Sequence, residues 1–529
     1  MQKTKQIVTG SFLERKDMLR FFYKILEEKE YMPLQNLQNT EKEQVKQAFN
    51  PFLPSYEYIP DGEPYIFDDR VYIYGSHDRF NGLLFCLNDY VCYSASVDNL
   101  SDWRYEGIIY RKKQDIKNKL GWHIYFAPDV VKGIDGKFYL YYTLDFSGIM
   151  GVAVCDTPAG GYEFYGYVQH KDGTIWGRKR GDDFPFDPGV FVDDDQRIYL
   201  YSGFYTSIPS LFTGFKKLKS RGGVALELES DMLTIKVEPE LLFPKEGKRA
   251  FLNHEFFEAS SIRKINDTYY FIYSSKHNHE LCYAISDSPM GDFSFQGTLI
   301  SIGDIFLDGI TKENAARNYL GNTHGSIINI KNSWYVFYHR HTNRHSYSRQ
   351  ACAEQLQRDE SGKFLQSEIT SCGLNEGALT AEGIYEARIA CNLWSKEGTR
   401  RYDITFPRIK LKKHPYFTQE GRDKDYISSQ YIANMQHMAV AGFKYFKGSD
   451  FKTIRISVRG KAKGRMVIGI DCRCLHTIAE ISIEAKDKMQ WVCFAAESIL
   501  PLDYKKDKYV LYFRFEGSGY IDFKKFEFV

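Results

Sequence analysis

Apolar and polar positions alternate with period two along most of this chain, in short runs separated by turn residues, and the runs return as a unit. The unit is an acidic or polar residue, four to six apolar or small residues, a turn, and an aromatic-rich strand closing near a tyrosine. Its copies are DGEPYIFDDRVYIYGSHD from Asp61, DVVKGIDGKFYLYYTLD from Asp129, DPGVFVDDDQRIYLYSGF from Asp187, EASSIRKINDTYYFIYSS from Glu258 and HGSIINIKNSWYVFYHRH from His324. They recur about every 60–70 residues, a period that belongs to propellers and solenoids. Pairs such as Asp135-Gly136 and Asn266-Asp267 between the apolar runs make each copy a hairpin. Two more strands follow it, for example GVAVCDTP and YEFYGYV after the second copy. Four antiparallel strands recurring five times, with no helical period between them, predict an all-β fold built on a five-bladed β-propeller over residues 51–375.

The pattern changes at both ends. After Cys372 the repeat stops, and Gly373 to Gly383 reads as a glycine-bearing connector. Runs such as FKTIRISVRG, GRMVIGIDC and YVLYFRFEG then predict a separate β-sandwich over residues 376–529. Residues 1–50 are polar, with apolar positions at helical spacing in FLERKDMLRFFYKILEEKEY, which predicts a short helical N-terminal extension.

The chemistry follows from the repeat. If the first strand of each copy lines a central channel, Asp61, Asp129, Asp187, Glu258 and His324 converge at one mouth of it. The antiparallel second strands return His77, Asp78, His277, His339 and Arg340 to the same rim. A lone acidic residue at a strand start usually caps a turn, but four carboxyls and a histidine at equivalent places crowd one cavity. Like charges that close cannot all ionise at their ordinary pKa, so one carboxyl is expected to stay neutral. A neutral carboxyl beside an ionised one is what glycoside hydrolysis needs.

These cassettes resemble glycoside hydrolase family 43, on Phe126-Ala127-Pro128-Asp129-Val130, Phe257-Glu258-Ala259-Ser260, Asp187-Pro188 and Asn322-Thr323-His324-Gly325-Ser326. The resemblance implies an inverting, exo-acting glycosidase that releases terminal α-L-arabinofuranose or β-D-xylose from hemicellulose-derived oligosaccharides. It implies Asp61 as general base, Asp129 as the carboxylate that tunes and orients the acid, and Glu258 as general acid. Asp187, His324, Arg340 and His77 are then expected to bind substrate. The usual Asp-Pro start is replaced by Asp61-Gly62-Glu63-Pro64, which offers two bases. The aromatic or aliphatic position two before the closing tyrosine lies 10 to 13 residues beyond the leading residue of every copy; Asp61 fits that range, Glu63 does not, and Glu63 is the fallback. Glu382-Gly383-Ile384-Tyr385-Glu386-Ala387 and Gly442-Phe443-Lys444-Tyr445-Phe446 are similar to a family 6 carbohydrate-binding module, with Trp394 or Trp491 as sugar-stacking candidates. No cofactor is implied as required, although some relatives hold calcium in the channel, which would reach His324 through water.

Composition narrows the partners. With 529 residues and 43% apolar content, the chain is long enough for two cores. Its 70 basic and 68 acidic groups are mixed throughout, for a net charge of +2, which gives no basic field for nucleic acid or membrane surface. The expected partner is a small oligosaccharide, and homo-oligomerisation is left open. No apolar run suits a signal peptide or a membrane span, and the ten cysteines sit mainly inside strands, so the reading is a cytoplasmic protein with reduced thiols. Two other readings stand beside the hydrolase: a non-catalytic sugar-binding propeller, and a retaining fructosidase of related five-bladed families, whose Asn-Asp-Pro start this chain lacks.

Overall fold

The computed structural model describes residues 47–402, 411–426, 429–448, 451–499 and 508–529. The helical reading of the N-terminal extension lies outside them, apart from residues 47–50, which are not helical.

Five antiparallel sheets follow one another along the chain. The first holds β1 (Glu63–Phe67), β2 (Arg70–Tyr74), β3 (Tyr90–Ser96) and β4 (Asn99–Tyr110). The second holds β5 (Tyr125–Lys132), β6 (Phe138–Leu144), β7 (Met150–Cys155) and β8 (Glu163–Tyr167). The third holds β9 (Gly189–Val192), β10 (Ile198–Gly203), β11 (Gly222–Leu228) and β12 (Ile235–Pro244). The fourth holds β13 (Phe256–Ile265), β14 (Thr268–Ser275), β15 (Glu280–Ser286) and β16 (Ser294–Ser301). Among the described residues the fifth has three strands, β17 (Ile327–Ile330), β18 (Ser333–His341) and β19 (Arg349–Leu356).

Side-chain alternation turns these sheets into a closed ring. Successive residues of a strand point to opposite faces, and each blade buries both. Tyr72 and Tyr74 of β2 pack with Val130 and Leu140 of the second blade, while Val71 and Ile73 pack with Tyr335 and Phe337 of the fifth. In β10, Ile198 and Leu200 face the second blade, and Tyr199 and Tyr201 face the fourth. Ile272 and Leu281 meet Val336 and Tyr338 across the remaining seam. Five apolar seams therefore join five blades, which is why the inner strands read as nearly unbroken apolar runs.

The C-terminal sandwich differs from two separate layers. Its ten described strands belong to one hydrogen-bonded sheet that curls around a core containing Phe443, Ile468, Phe513 and Phe526. The curl runs along two long strands, Thr453–Gly469 and Tyr509–Phe528, paired from Ile454 with Phe528 to Gly469 with Tyr512. At one close crossing, a Cβ on Gly464 would stand 2.1 Å from the Glu516 carbonyl oxygen, so only glycine fits.

This sheet is fastened to the propeller. Tyr58 Oη donates to Gln419 Oε1 at 2.6 Å, and the Phe80 N–H donates to Asp423 Oδ1 at 2.6 Å. Lys444 Nζ lies 3.3 Å from Asp304. Residues 47–529 form one compact unit.

Candidate active site

Strand register places the acidic residues on two levels. The closing tyrosines of the first two copies, Tyr74 and Tyr141, pair with Glu63 and Asp129, and Tyr201 of the third pairs with Gly189. Asp129 is thus level with Glu63, two residues deeper along its strand than Asp61 and Asp187 stand on theirs. The short spacing in the second copy was the trace of that offset. Glu258 pairs with Ser274, one position beyond the closing Tyr273, so it belongs to the upper level.

Backbone irregularities aim the upper carboxyls. Asp61, Asp187 and Ala259 hold φ of 59°, 45° and 68°, left-handed values that cost non-glycine residues energy and cluster at functional sites. Register shifts in β13 on both sides of Glu258 form a bulge that turns its side chain inward. The Ala259 N–H that the bulge frees donates to Asp187 Oδ2 at 3.1 Å.

The electrostatics of this level separate two carboxyls. Burial pushes the Glu258 carboxyl well above the carboxylate range, and the neighbouring charge of Asp187 pushes it further, while His324 acts the other way. Asp61 accepts from Arg349 Nη1 at 2.9 Å, and Arg349 also donates through Nε to Asp78 at 2.9 Å. Burial opposes the Arg349 charge, but Asp61 and Asp78 hold it firmly protonated. His339 is kept neutral by burial and accepts the Asp61 N–H at 3.3 Å. The site thus offers a protonated acid, Glu258, and a carboxylate bonded to an arginine, Asp61.

The lower level is an ionic plug. Glu63 accepts from Arg263 Nη2 at 2.7 Å and from Ser261 Oγ at 3.0 Å, and Arg263 lies 4.4 Å over the Tyr65 ring. Burial works against Glu63, yet Arg263 and His324 hold its carboxyl below the usual range. Asp129 accepts from Tyr65 Oη and the Val190 N–H, each at 2.7 Å, and burial with the Glu63 charge raises it to about 7. Removing one member of a buried ion pair strands the other. Arg263→Met is expected to cost about 3–5 kcal/mol in urea unfolding; a loss under about 1 kcal/mol would show that the plug is not structural.

His324 links the levels. Its Nδ1 stands 3.5 Å from Asp187 and its Nε2 3.6 Å from Glu63, and although burial opposes it these carboxylates hold the ring cationic. Nε2 of His324 and Oε1 of Glu63 are buried without hydrogen-bond partners among the described residues, which marks them as the atoms a bound water would satisfy.

Several expectations change. Asp187, not Asp129, is the leading charge that raises Glu258, because the first strand of the second blade is entered two residues further along. Glu63 is committed to the plug. Arg340 points out of the channel: it donates to Ala390 O at 3.1 Å and Gln350 Oε1 at 3.0 Å and lies 3.9 Å over Phe417 of the C-terminal sheet. His77 is spoken for at both nitrogens, by Asp89 O at 2.8 Å and Glu57 at 3.2 Å, so neither is left for a sugar. Arg349 and Arg263 are the functional residues the sequence reading missed. Each is a lone basic residue in a strand, and only the fold shows that carboxylates 288 and 200 residues away need it. Phe126, Phe186 and Phe204, which flank or face the leading residues, are buried in an aromatic cluster with Cys86, and Phe85 and Phe257 pack against it half-buried.

A propeller whose mouth sets a raised carboxyl against an arginine-bound one has the equipment of a glycoside hydrolase. The comparisons agree: the profile of glycosyl hydrolases family 43 matches residues 50–364, and this chain belongs to that family. It is 47% identical over 484 residues to a xylosidase/arabinosidase of Thermoclostridium stercorarium, covering 91% of this chain and 98% of that one. It is 29% identical over 314 residues to a xylosidase/arabinosidase of Bacteroides ovatus, covering 54% of this chain and 87% of that one. A solved family 43 β-xylosidase/α-arabinofuranosidase from a compost metagenome, in complex with xylotriose and in calcium-free form, matches with a TM-score of 0.46 and 25% identity, covering 61% of this chain and 98% of that one.

Proposed function

We propose that this hydrolase removes single terminal pentoses, α-L-arabinofuranose or β-D-xylose, from hemicellulose-derived oligosaccharides with inversion at the anomeric carbon. The observation that carries the reading is that Glu258, its proton held by burial and Asp187, lies near enough to feel the charge of Asp61, which accepts from Arg349. Glu258 gives its proton to the leaving sugar oxygen. Asp61 takes a proton from water as that water attacks the opposite face of the ring, and Arg349 keeps Asp61 oriented. Asp187 keeps Glu258 protonated between turnovers and, by accepting the Ala259 N–H, holds the bulge that presents it. The substrate class rests on the similarity to xylosidase/arabinosidases along nearly the whole chain. A calcium ion, where bound, would be held through water by Glu63, with His324 as an acceptor only once it gave up its proton, and would supply charge that fixes the carboxylates.

The test is proton NMR of the purified protein with arabino- and xylo-oligosaccharides. The first-formed pentose should carry the inverted anomeric configuration; a retained anomer sinks the mechanism, and no release from either sugar sinks the reading.

The tuning role has its own test. Asp187→Asn removes a negative charge beside Glu258, lowers the pKa of Glu258, and should move the alkaline limb of kcat/KM to lower pH. Asp129→Asn should leave that limb in place. The opposite pattern would return the tuning role to Asp129.

The C-terminal sheet gives less sign of sugar binding. Arg459 lies 4.3 Å over the Trp491 ring and Arg317 5.8 Å over Trp394, so each tryptophan already carries a cation. Among the described residues, no helix is long and apolar enough to cross a membrane. All ten cysteines are free thiols, which favours work in the reducing cytoplasm.

A further inference from the structure

The hairpin between β14 and β15 carries the run Lys276-His277-Asn278-His279-Glu280-Leu281-Cys282, rich in side chains that ligate metals. Glu280 and Cys282 are two apart on β15 and so share a face. Against that face the loop entering β13 lays His254, four residues before Glu258. Among the described residues, these three are the group of histidine, cysteine and carboxylate atoms that converge, all within 4.8 Å of one another. His254 Nδ1 stands 2.8 Å from Glu280 Oε1 and 3.7 Å from Cys282 Sγ.

We propose that His254, Glu280 and Cys282 form a binding site for a zinc-class divalent transition metal, separate from the sugar-cleaving carboxyls. The nitrogen, oxygen and sulfur donors are the mixed set that zinc accepts, whereas calcium takes oxygen alone. The spacing suits tetrahedral binding. Metal–nitrogen and metal–sulfur bonds of about 2.1 and 2.3 Å give an edge of about 3.6 Å between the two donors, against the 3.7 Å seen. The nitrogen–oxygen edge must open from 2.8 Å to about 3.4 Å, a small rotation of the half-buried His254 ring.

The surroundings are those of a supported site. Ser275 Oγ donates to Glu280 Oε1 at 2.5 Å and Thr298 Oγ1 to Oε2 at 2.8 Å, which orients both carboxylate oxygens. Phe295 stacks on the His254 ring at 4.7 Å and fixes its plane. Glu280 and Cys282 are buried, but His254 is 21% exposed, which leaves a path from solvent. The His277 ring, 6.1 Å away, is near enough to become a fourth ligand in place of water. Binding requires the Cys282 thiol to release its proton to solvent and the His254 proton to move from Nδ1 to Nε2; no electron changes hands.

Cobalt(II), which colours thiolate sites, is the probe for the purified full-length chain. One equivalent should produce a near-ultraviolet thiolate-to-cobalt band that zinc abolishes and equimolar calcium does not. Cys282→Ser should remove the band. His254→Gln, a change at the more exposed ligand that spares the buried strand, should weaken cobalt binding by about 10–100-fold. Cys493→Ser, which alters an exposed thiol elsewhere, should keep the band. No band at stoichiometric cobalt, a band that survives both ligand variants, or displacement by calcium would each overturn the proposal.

Discussion

Glu258→Ala is expected to lose about 10²–10⁴-fold in turnover on pentosyl oligosaccharides and to lose far less on aryl pentosides with good leaving groups. A sugar alkoxide cannot depart without a proton, whereas a nitrophenolate of low pKa leaves largely unaided. The structure gives this difference its physical basis, since burial and Asp187 make Glu258 the carboxyl of the upper level that holds its proton. Comparing kcat on the two substrate types reads the effect directly. Equal losses on both would mean that Glu258 is not the acid. Glu255, the nearest other carboxyl in sequence, is a poor substitute: burial pushes against it, but Lys276 at 2.7 Å holds it ionised.

Asp61→Asn is expected to fall by about 10²–10⁴-fold on both substrate types, because the attacking water must be activated whatever the leaving group. The variant should fold, since Arg349 keeps Asp78 as partner through Nε at 2.9 Å and Nη2 at 3.0 Å. Glu63→Gln is the informative control. It leaves Arg263 without its carboxylate and so should lower stability, but it should not abolish water activation. Full activity in Asp61→Asn with loss in a folded Glu63→Gln would move the base to Glu63.

The repeat, the five blades and the level of Asp61, Asp187 and Glu258 could be read from the sequence because they depend on local alternation and on turn residues. The second blade misled the reading. Its acidic residue follows Phe126-Ala127-Pro128 inside β5 rather than preceding the strand, and a bulge between Phe126 and Asp129 hides the shift from residue counting. Arg349 and Arg263 were out of reach for another reason. A cation's role is set by what it neutralises, and their carboxylates come from the first blade, brought close only when the ring closes. Arg340 shows the converse: its position in the repeat suggested the rim, but its direction is set by Phe417 and Ala390, which belong to a domain the repeat does not describe.

That direction has a consequence for how this protein can change. Arg340 is buried in the fifth blade, and its cationic face and one of its hydrogen bonds are completed from beyond residue 375. Asp423, from the same C-terminal region, caps the Phe80 N–H two residues from Asp78 and so steadies the loop that holds Arg349. The C-terminal sheet is therefore no detachable accessory. Recombination that exchanged it for an unrelated module would leave a buried arginine half-solvated and slacken the counter-ion of the base. Inheritance as one piece, with substrate range varied instead through the loops between blades, is the course this construction leaves open.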